Sequence, residues 1–97
     1  MLDSLLDLKQ LDNMSPRDLR LLRNTIYARR GRSFKSPVLT EYFEGMGWYS
    51  PDDNYSDARL TDVDKKNIRL VRSVEDSLGG PLADRDHMQA EGWFAGA

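Results

Sequence analysis

Cysteine is absent from this 97-residue chain, which removes disulfide bridges, a thiol nucleophile, cysteine-ligated zinc and iron–sulfur clusters together. Histidine occurs once, as His87, too few for most zinc chemistry. No apolar run approaches the ~20 residues that cross a bilayer, so no membrane insertion is expected. Charge of one sign is not in large excess either: 14 Lys and Arg face 16 Asp and Glu, leaving a net charge of -2. An acidic balance of that kind argues against a nucleic-acid partner, which calls for a strongly basic domain. Hydrophobic residues make up 39% and charged residues 31%, so the chain encloses a lean core in one small domain. A deep catalytic pocket does not fit that size. Ser33, Ser36 and Ser50 have no histidine partner other than His87, and no nucleophile elbow occurs. The expectation is a chain that is not an enzyme and carries no catalytic residues, cofactor or metal.

What the chain does contain is repeated helix grammar. Ser15-Pro16-Arg17-Asp18 opens a helix with a capping hydroxyl, a proline preset for the first turn and a carboxylate near free backbone N–H groups. Leu19, Leu22 and Ile26 recur at helical spacing, and Gly31 stops the run, which predicts a helix over 16–30. Ser36-Pro37 repeats the same start. Leu39, Tyr42, Phe43 and Met46 then share one face, predicting a helix over 37–46 that ends at Gly45 and Gly47. Thr61 caps a third helix over 61–78, with Asp62 and Asp64 in its positive first turn and a stripe of Val63, Leu70, Val71, Val74 and Leu78. Leu2, Leu5, Leu6 and Leu8 suggest a short N-terminal helix. The predicted fold is all-α: a small bundle of three main helices within residues 1–80, with residues 81–97 as an appended tail, packed back or exchanged between copies.

The stretch Leu19 to Phe34, reading Leu-Arg-Leu-Leu-Arg-Asn-Thr-Ile-Tyr-Ala-Arg-Arg-Gly-Arg-Ser-Phe, closely resembles the signature of the bacterial YARHG domain. The likeness continues through Lys35-Ser36-Pro37, Leu39, Tyr42-Phe43, Trp48-Tyr49, Leu60, Lys65-Lys66-Asn67-Ile68 and Glu75, covering about residues 15–77. Arg30 stands where the family's signature has histidine, so a permanent cation replaces a titrating imidazole. The resemblance implies an extracellular domain found beside other domains in exported bacterial proteins, with no reaction attached to it. An extracytoplasmic location, periplasmic or cell-surface, follows if a leader precedes this segment. Acidic residues open the chain as it stands, and without a leader it is cytoplasmic.

Charge is segregated along the chain. Arg17, Arg20, Arg23, Arg29, Arg30, Arg32 and Lys35 fall together with Asp18 as their sole local countercharge. On a helix, Arg23, Tyr27 and Arg30 share one side, a surface suited to an anionic envelope glycan or an acidic protein partner. The competing and weightier reading ties these arginines to Glu41, Glu44, Asp62, Asp64 and Glu75 of neighbouring helices. Trp48 and Tyr49 form the most binding-like aromatic pair, with Trp48 expected in the core and Tyr49 at the surface with its hydroxyl in water. Asn24 and Asn67 sit on amphipathic helices, where burial demands hydrogen-bond partners. The acidic 52–57 loop does not match an EF-hand, lacking its central glycine and distal glutamate. Candidate binding residues are therefore Arg23, Asn24, Tyr27, Arg29, Arg30, Trp48 and Tyr49. The expected role is noncatalytic recognition or accessory binding; the alternatives are a regulatory or scaffold module of a larger exported enzyme, or a unit that dimerises through Trp93 and Phe94.

Overall fold

The computed structural model describes residues 2–90, and every regular element among them is helical. In order these are α1 (Leu8–Leu11), α2 (Pro16–Ala28), α3 (Pro37–Glu44), a single 3-10 turn (Asp57–Arg59), α4 (Asp62–Ser77) and α5 (Asp84–Ala90). The starts of the main helices fall where the caps predict. Ser15 Oγ accepts from the Asp18 amide and Ser36 Oγ from the Leu39 amide, each at 3.1 Å. At α4, Thr61 and Asp64 close a reciprocal capping box at 3.0 Å in both directions. The ends come slightly earlier than predicted. Past Ala28 the amides of Arg30 and Gly31 bond back three residues rather than four, which tightens the chain out of the helix.

The backbone of the architecture is α2 lying antiparallel on α4. Leu19 and Val71, both fully buried, meet Leu6 and Leu11 in one cluster, with Leu22, Leu70 and Val74 around it. A second cluster joins Ala28 of α2 to Leu39 and Phe43 of α3, with Leu21, Phe34 and Tyr49 packed against it. Leu78, predicted for the buried stripe of α4, sits at the helix's C-cap and is 52% exposed. Its place on the inner side is taken by polar residues: Asp64, Asn67 and Glu75 are each buried to 1% exposure or less. Asn67 accounts for the N-terminal segment. Its Oδ1 accepts from the Leu6 amide at 2.8 Å and its Nδ2 donates to the Ser4 carbonyl at 3.0 Å, so one side chain clasps an irregular stretch of chain that has no helical partner for those groups.

The first part of the C-terminal tail folds back. α5 packs on α3, its His87 is 1% exposed, and Asp84 at its start reaches Arg20 at 2.6 Å and Ser36 Oγ at 2.6 Å. Trp93 and Phe94, and the exchange expected through them, lie outside the described residues. Burial alone would raise the Asp84 carboxyl's pKa, but the hydrogen bonds from Ser36 and Arg20 outweigh it and hold the group below the usual carboxylate range. A depressed folded-state pKa stabilises above the unfolded value and is lost as pH falls through the folded one. α5 docking therefore weakens below about pH 4; faster hydrogen exchange at the His87 amide, which donates to Ala83, reports it, and constant protection down to pH 2 would refute it.

Candidate functional site

The segment Tyr27-Ala28-Arg29-Arg30-Gly31 forms the C-terminal end of α2 and the turn after it, and each residue there has a definite task. The Tyr27 carbonyl accepts from the amides of both Arg30 and Arg32, and the Arg32 guanidinium lies 4.5 Å from the Tyr27 ring centroid. Ala28 is 2% exposed against Leu39 and Phe43, where a larger side chain has no space. Arg29 pairs with Asp3 of the N-terminal segment. Arg30 grips Asp64 bidentately, Nε to Oδ2 at 2.8 Å and Nη2 to Oδ1 at 3.2 Å. Gly31 adopts φ +98°, and its carbonyl accepts from the Asp52 amide at 2.8 Å.

Gly31 is fixed twice over. A Cβ there would sit 3.1 Å from Arg59 Nη1 and 3.4 Å from Asp52 Cβ, in a backbone region that L-residues avoid. Gly31→Ala should cost about 1–2 kcal/mol from the backbone alone, read as a lower urea midpoint; a wild-type midpoint would show the turn to be plastic.

Around this turn lies an open cleft of about 500 Å³, lined by Arg29, Arg30, Gly31, Ser50–Asn54 and Arg59. The loop that forms its far wall is organised by its own hydrogen bonds. Asp52 Oδ1 accepts from the Asn54 amide at 2.8 Å, and Asp52 Oδ2 from Arg59 Nη2 at 2.7 Å. Arg59 also donates from Nη1 to the Arg30 carbonyl at 3.1 Å, tying the 3-10 turn to the end of α2. The Arg59 guanidinium holds the Asp52 carboxyl below the usual carboxylate range, helped by the Asn54 amide. Arg59 and Asp52 are both about two-fifths exposed. A guanidinium has five N–H donors, so Arg30 and Arg59 keep donors beyond those used in these contacts.

Of the residues singled out in the sequence, Arg29 and Arg30 line this cleft and the others do not. Arg23 turns to α4, with Nε 2.5 Å from Oε1 of the fully buried Glu75. Asn24 donates to the Arg20 carbonyl one turn back, at 2.9 Å, and is buried. Tyr27 serves as the platform under Arg32. The expectation for the aromatic pair is reversed: Trp48 is 49% exposed, while Tyr49 packs on Phe43 and Phe34 and its hydroxyl donates to the Arg32 carbonyl at 2.6 Å. The half-buried hydroxyl has a carbonyl to satisfy it, whereas Trp48 needs only its edge on Phe43, so the smaller ring takes the inner place. Burial pushes the Tyr49 phenol up, with the Glu44 charge adding to it. Arg59 and the Ser50–Asn54 wall escaped the sequence reading; Arg59 is the single base between Lys35 and Lys65, a signal that distinguishes it from the clustered arginines.

The partners of the arginine cluster are now explicit. Asp64 and Glu75 answer Arg30 and Arg23 as the structural reading expected, and Asp3 and Asp84 answer Arg29 and Arg20 from the chain's two ends. Among the described residues Arg32 has no carboxylate partner and rests on the rings of Tyr27 and Phe34. No three His, Asp or Glu side chains among the described residues converge as a metal site.

The YARHG domain model matches residues 1–76. The chain belongs to the YARHG domain family. A solved structure from Legionella pneumophila subsp. pneumophila str. Philadelphia 1, a "putative nutrient binding protein", shares 46% sequence identity over 74% of this chain, with a TM-score of 0.66. This YARHG domain spans 22% of that protein's length. No curated protein matches the chain. The family's name-giving residues thus fall on the end of α2 and the turn after it, which Arg30 ties to Asp64 of α4 and which forms one wall of the cleft. At its fourth letter this YARHG domain has Arg30, whose fork fills both oxygens of Asp64.

Proposed function

We propose that this YARHG domain is a noncatalytic, extracytoplasmic recognition module of an exported bacterial protein, binding an anionic envelope glycan or acidic protein segment in the cleft between Arg30 and Arg59. The observation that carries the reading is the cleft itself: three arginines around an open polar hollow, with spare guanidinium donors and the Ser50 and Asn54 groups for hydroxyl-rich or carboxylate-bearing ligands. No helix among the described residues is long and apolar enough to cross a membrane, and the family's usual extracellular setting supports the location. The Legionella protein's description as a nutrient binding protein supports binding rather than catalysis.

Arg59 is the residue for the test, because what its removal breaks is exposed: the pair with Asp52, worth about 0–1 kcal/mol, and one hydrogen bond to the Arg30 carbonyl. Titration calorimetry of the full chain with peptidoglycan muropeptides and with poly-glutamate should show saturable binding to one of them. Arg59→Gln should weaken it roughly tenfold or more, the loss of one charged hydrogen bond, while the melting temperature stays nearly unchanged. Absence of binding by either probe, or binding indifferent to Arg59, would sink the proposal. The exposed Trp48, beside the partly exposed Tyr42, favours a second contact with a protein partner, and Trp48→Ala tests it in the same titration.

A further inference from the structure

A different pocket of the molecule holds a carboxylate already. Arg20 is 7% exposed, and its Nη2 reaches both Asp84 Oδ1 at 2.6 Å and Ser36 Oγ at 3.5 Å. Ser36 Oγ also donates to that same oxygen at 2.6 Å while capping α3. The backbone N–H of Val38 completes the set, so the carboxylate faces the free first-turn donors of an eight-residue helix. Arg20 Nη1 is buried on the same guanidinium without a hydrogen-bond partner. A buried donor left in that state is unusual. The resident aspartate thus engages only part of the guanidinium, and the occupant is held below the full donor capacity of the site.

The occupant is attached by a hinge. Gly79 and Gly80 have φ of +107° and +99°, with nothing within 4 Å of where a Cβ would stand, and Pro81 follows. α5 is a seven-residue helix, too short to be stable undocked, and its attachment begins at Asp84. The matched family segment ends at residue 76, before both hinge and occupant. Arg20 and Ser36 therefore belong to the family body, whereas the carboxylate that neutralises them arrives from an added segment.

We propose that Arg20, Ser36 and the first turn of α3 form a carboxylate-binding site, and that Asp84 is a tethered, displaceable occupant whose place is taken by the same segment of a second copy. Exchange preserves every contact of α5, because an identical helix enters an identical pocket and only the glycine hinge changes conformation. Charge complementarity selects the occupant: a buried arginine accepts an entering helix only if that helix brings a carboxylate at its start.

The test uses the full chain with Asp84→Asn, which empties the site of its charge while keeping side-chain size. A fluorescein-labelled peptide of native residues 81–90 is titrated by fluorescence anisotropy. The variant should bind it saturably, the unaltered chain at least tenfold more weakly because its own α5 competes, and a peptide carrying Asp84→Asn should not bind. Equal binding to variant and unaltered chain, or no binding to the variant, would overturn the proposal. A measurement on the unaltered chain guards against misfolding of the variant. Excess unlabelled peptide should shift the nitrogen-15 NMR signals of Ser36 and Val38 and leave those of the cleft around Arg59 in place. Unmoved Ser36 and Val38 signals would refute it equally, and acetate producing the same shifts at equal concentration would show a free-carboxylate site rather than exchange between copies.

Discussion

Arg30→Ala lowers the stability of this domain by about 3–5 kcal/mol at neutral pH. The cost is large because of what stays behind. Asp64 is 1% exposed, and without the guanidinium its buried carboxylate keeps the Thr61 amide, α4's own first turn and the more distant Arg29 charge but loses its paired cation. A domain of this length has roughly 5–15 kcal/mol in total, so the variant loses a large share of its stability. The pH dependence identifies the cause. In the native protein, burial would raise the Asp64 pKa, but the Arg30 hydrogen bonds and the Thr61 amide outweigh it and depress the value. That contribution is present above the unfolded carboxyl's pKa and disappears as pH falls through the folded one. In the variant the carboxyl's pKa rises instead, so native and variant stabilities should converge toward pH 3. Urea unfolding at pH 7 and pH 3 decides the matter; a difference independent of pH would mean lost packing rather than a stranded charge. Arg30→Lys should recover only part of the loss, since an ammonium cannot fill both oxygens of Asp64.

Phe43→Ala costs a comparable ~3–5 kcal/mol for a different reason. Phe43 is fully buried and its ring contacts four others: Phe34 stacked at 5.1 Å, Tyr42 edge-on at 5.0 Å, Tyr49 tilted at 5.7 Å and Trp48 edge-on at 6.1 Å. Removing it leaves a cavity and takes the shared partner from every ring around it, each such pair adding about 0.5–1.5 kcal/mol beyond area. In a Trp93→Phe background Trp48 reports alone, and its emission should shift to the red with loss of near-ultraviolet circular dichroism. Trp48→Ala, half exposed to begin with, should cost much less. Equal costs would contradict the central place given to Phe43.

Both predictions rest on residues whose importance was unequally legible. The starts of α2, α3 and α4 follow from Ser15-Pro16, Ser36-Pro37 and Thr61-x-x-Asp64, because a cap is a contact between residues three apart and needs nothing distant. The buried places of Leu19, Ile26, Leu39, Phe43 and Val71 follow from helical spacing for the same reason. Spacing does not place Trp48 and Tyr49, because adjacent side chains diverge and which one turns inward depends on a carbonyl, that of Arg32, seventeen positions away.

Sequence alone determined that this protein is a small all-α domain without cysteine, with half of its basic residues gathered between Arg17 and Lys35 and its start signals set by local capping. Only the tertiary structure decided where those charges go: Arg23 to Glu75, Arg30 to Asp64, Arg20 to Asp84 and Arg29 to Asp3, leaving Arg59 to shape the cleft. Helix propensity and capping act within one turn of chain, whereas an ion pair between residues 26 to 64 positions apart exists only once packing has brought the helices together.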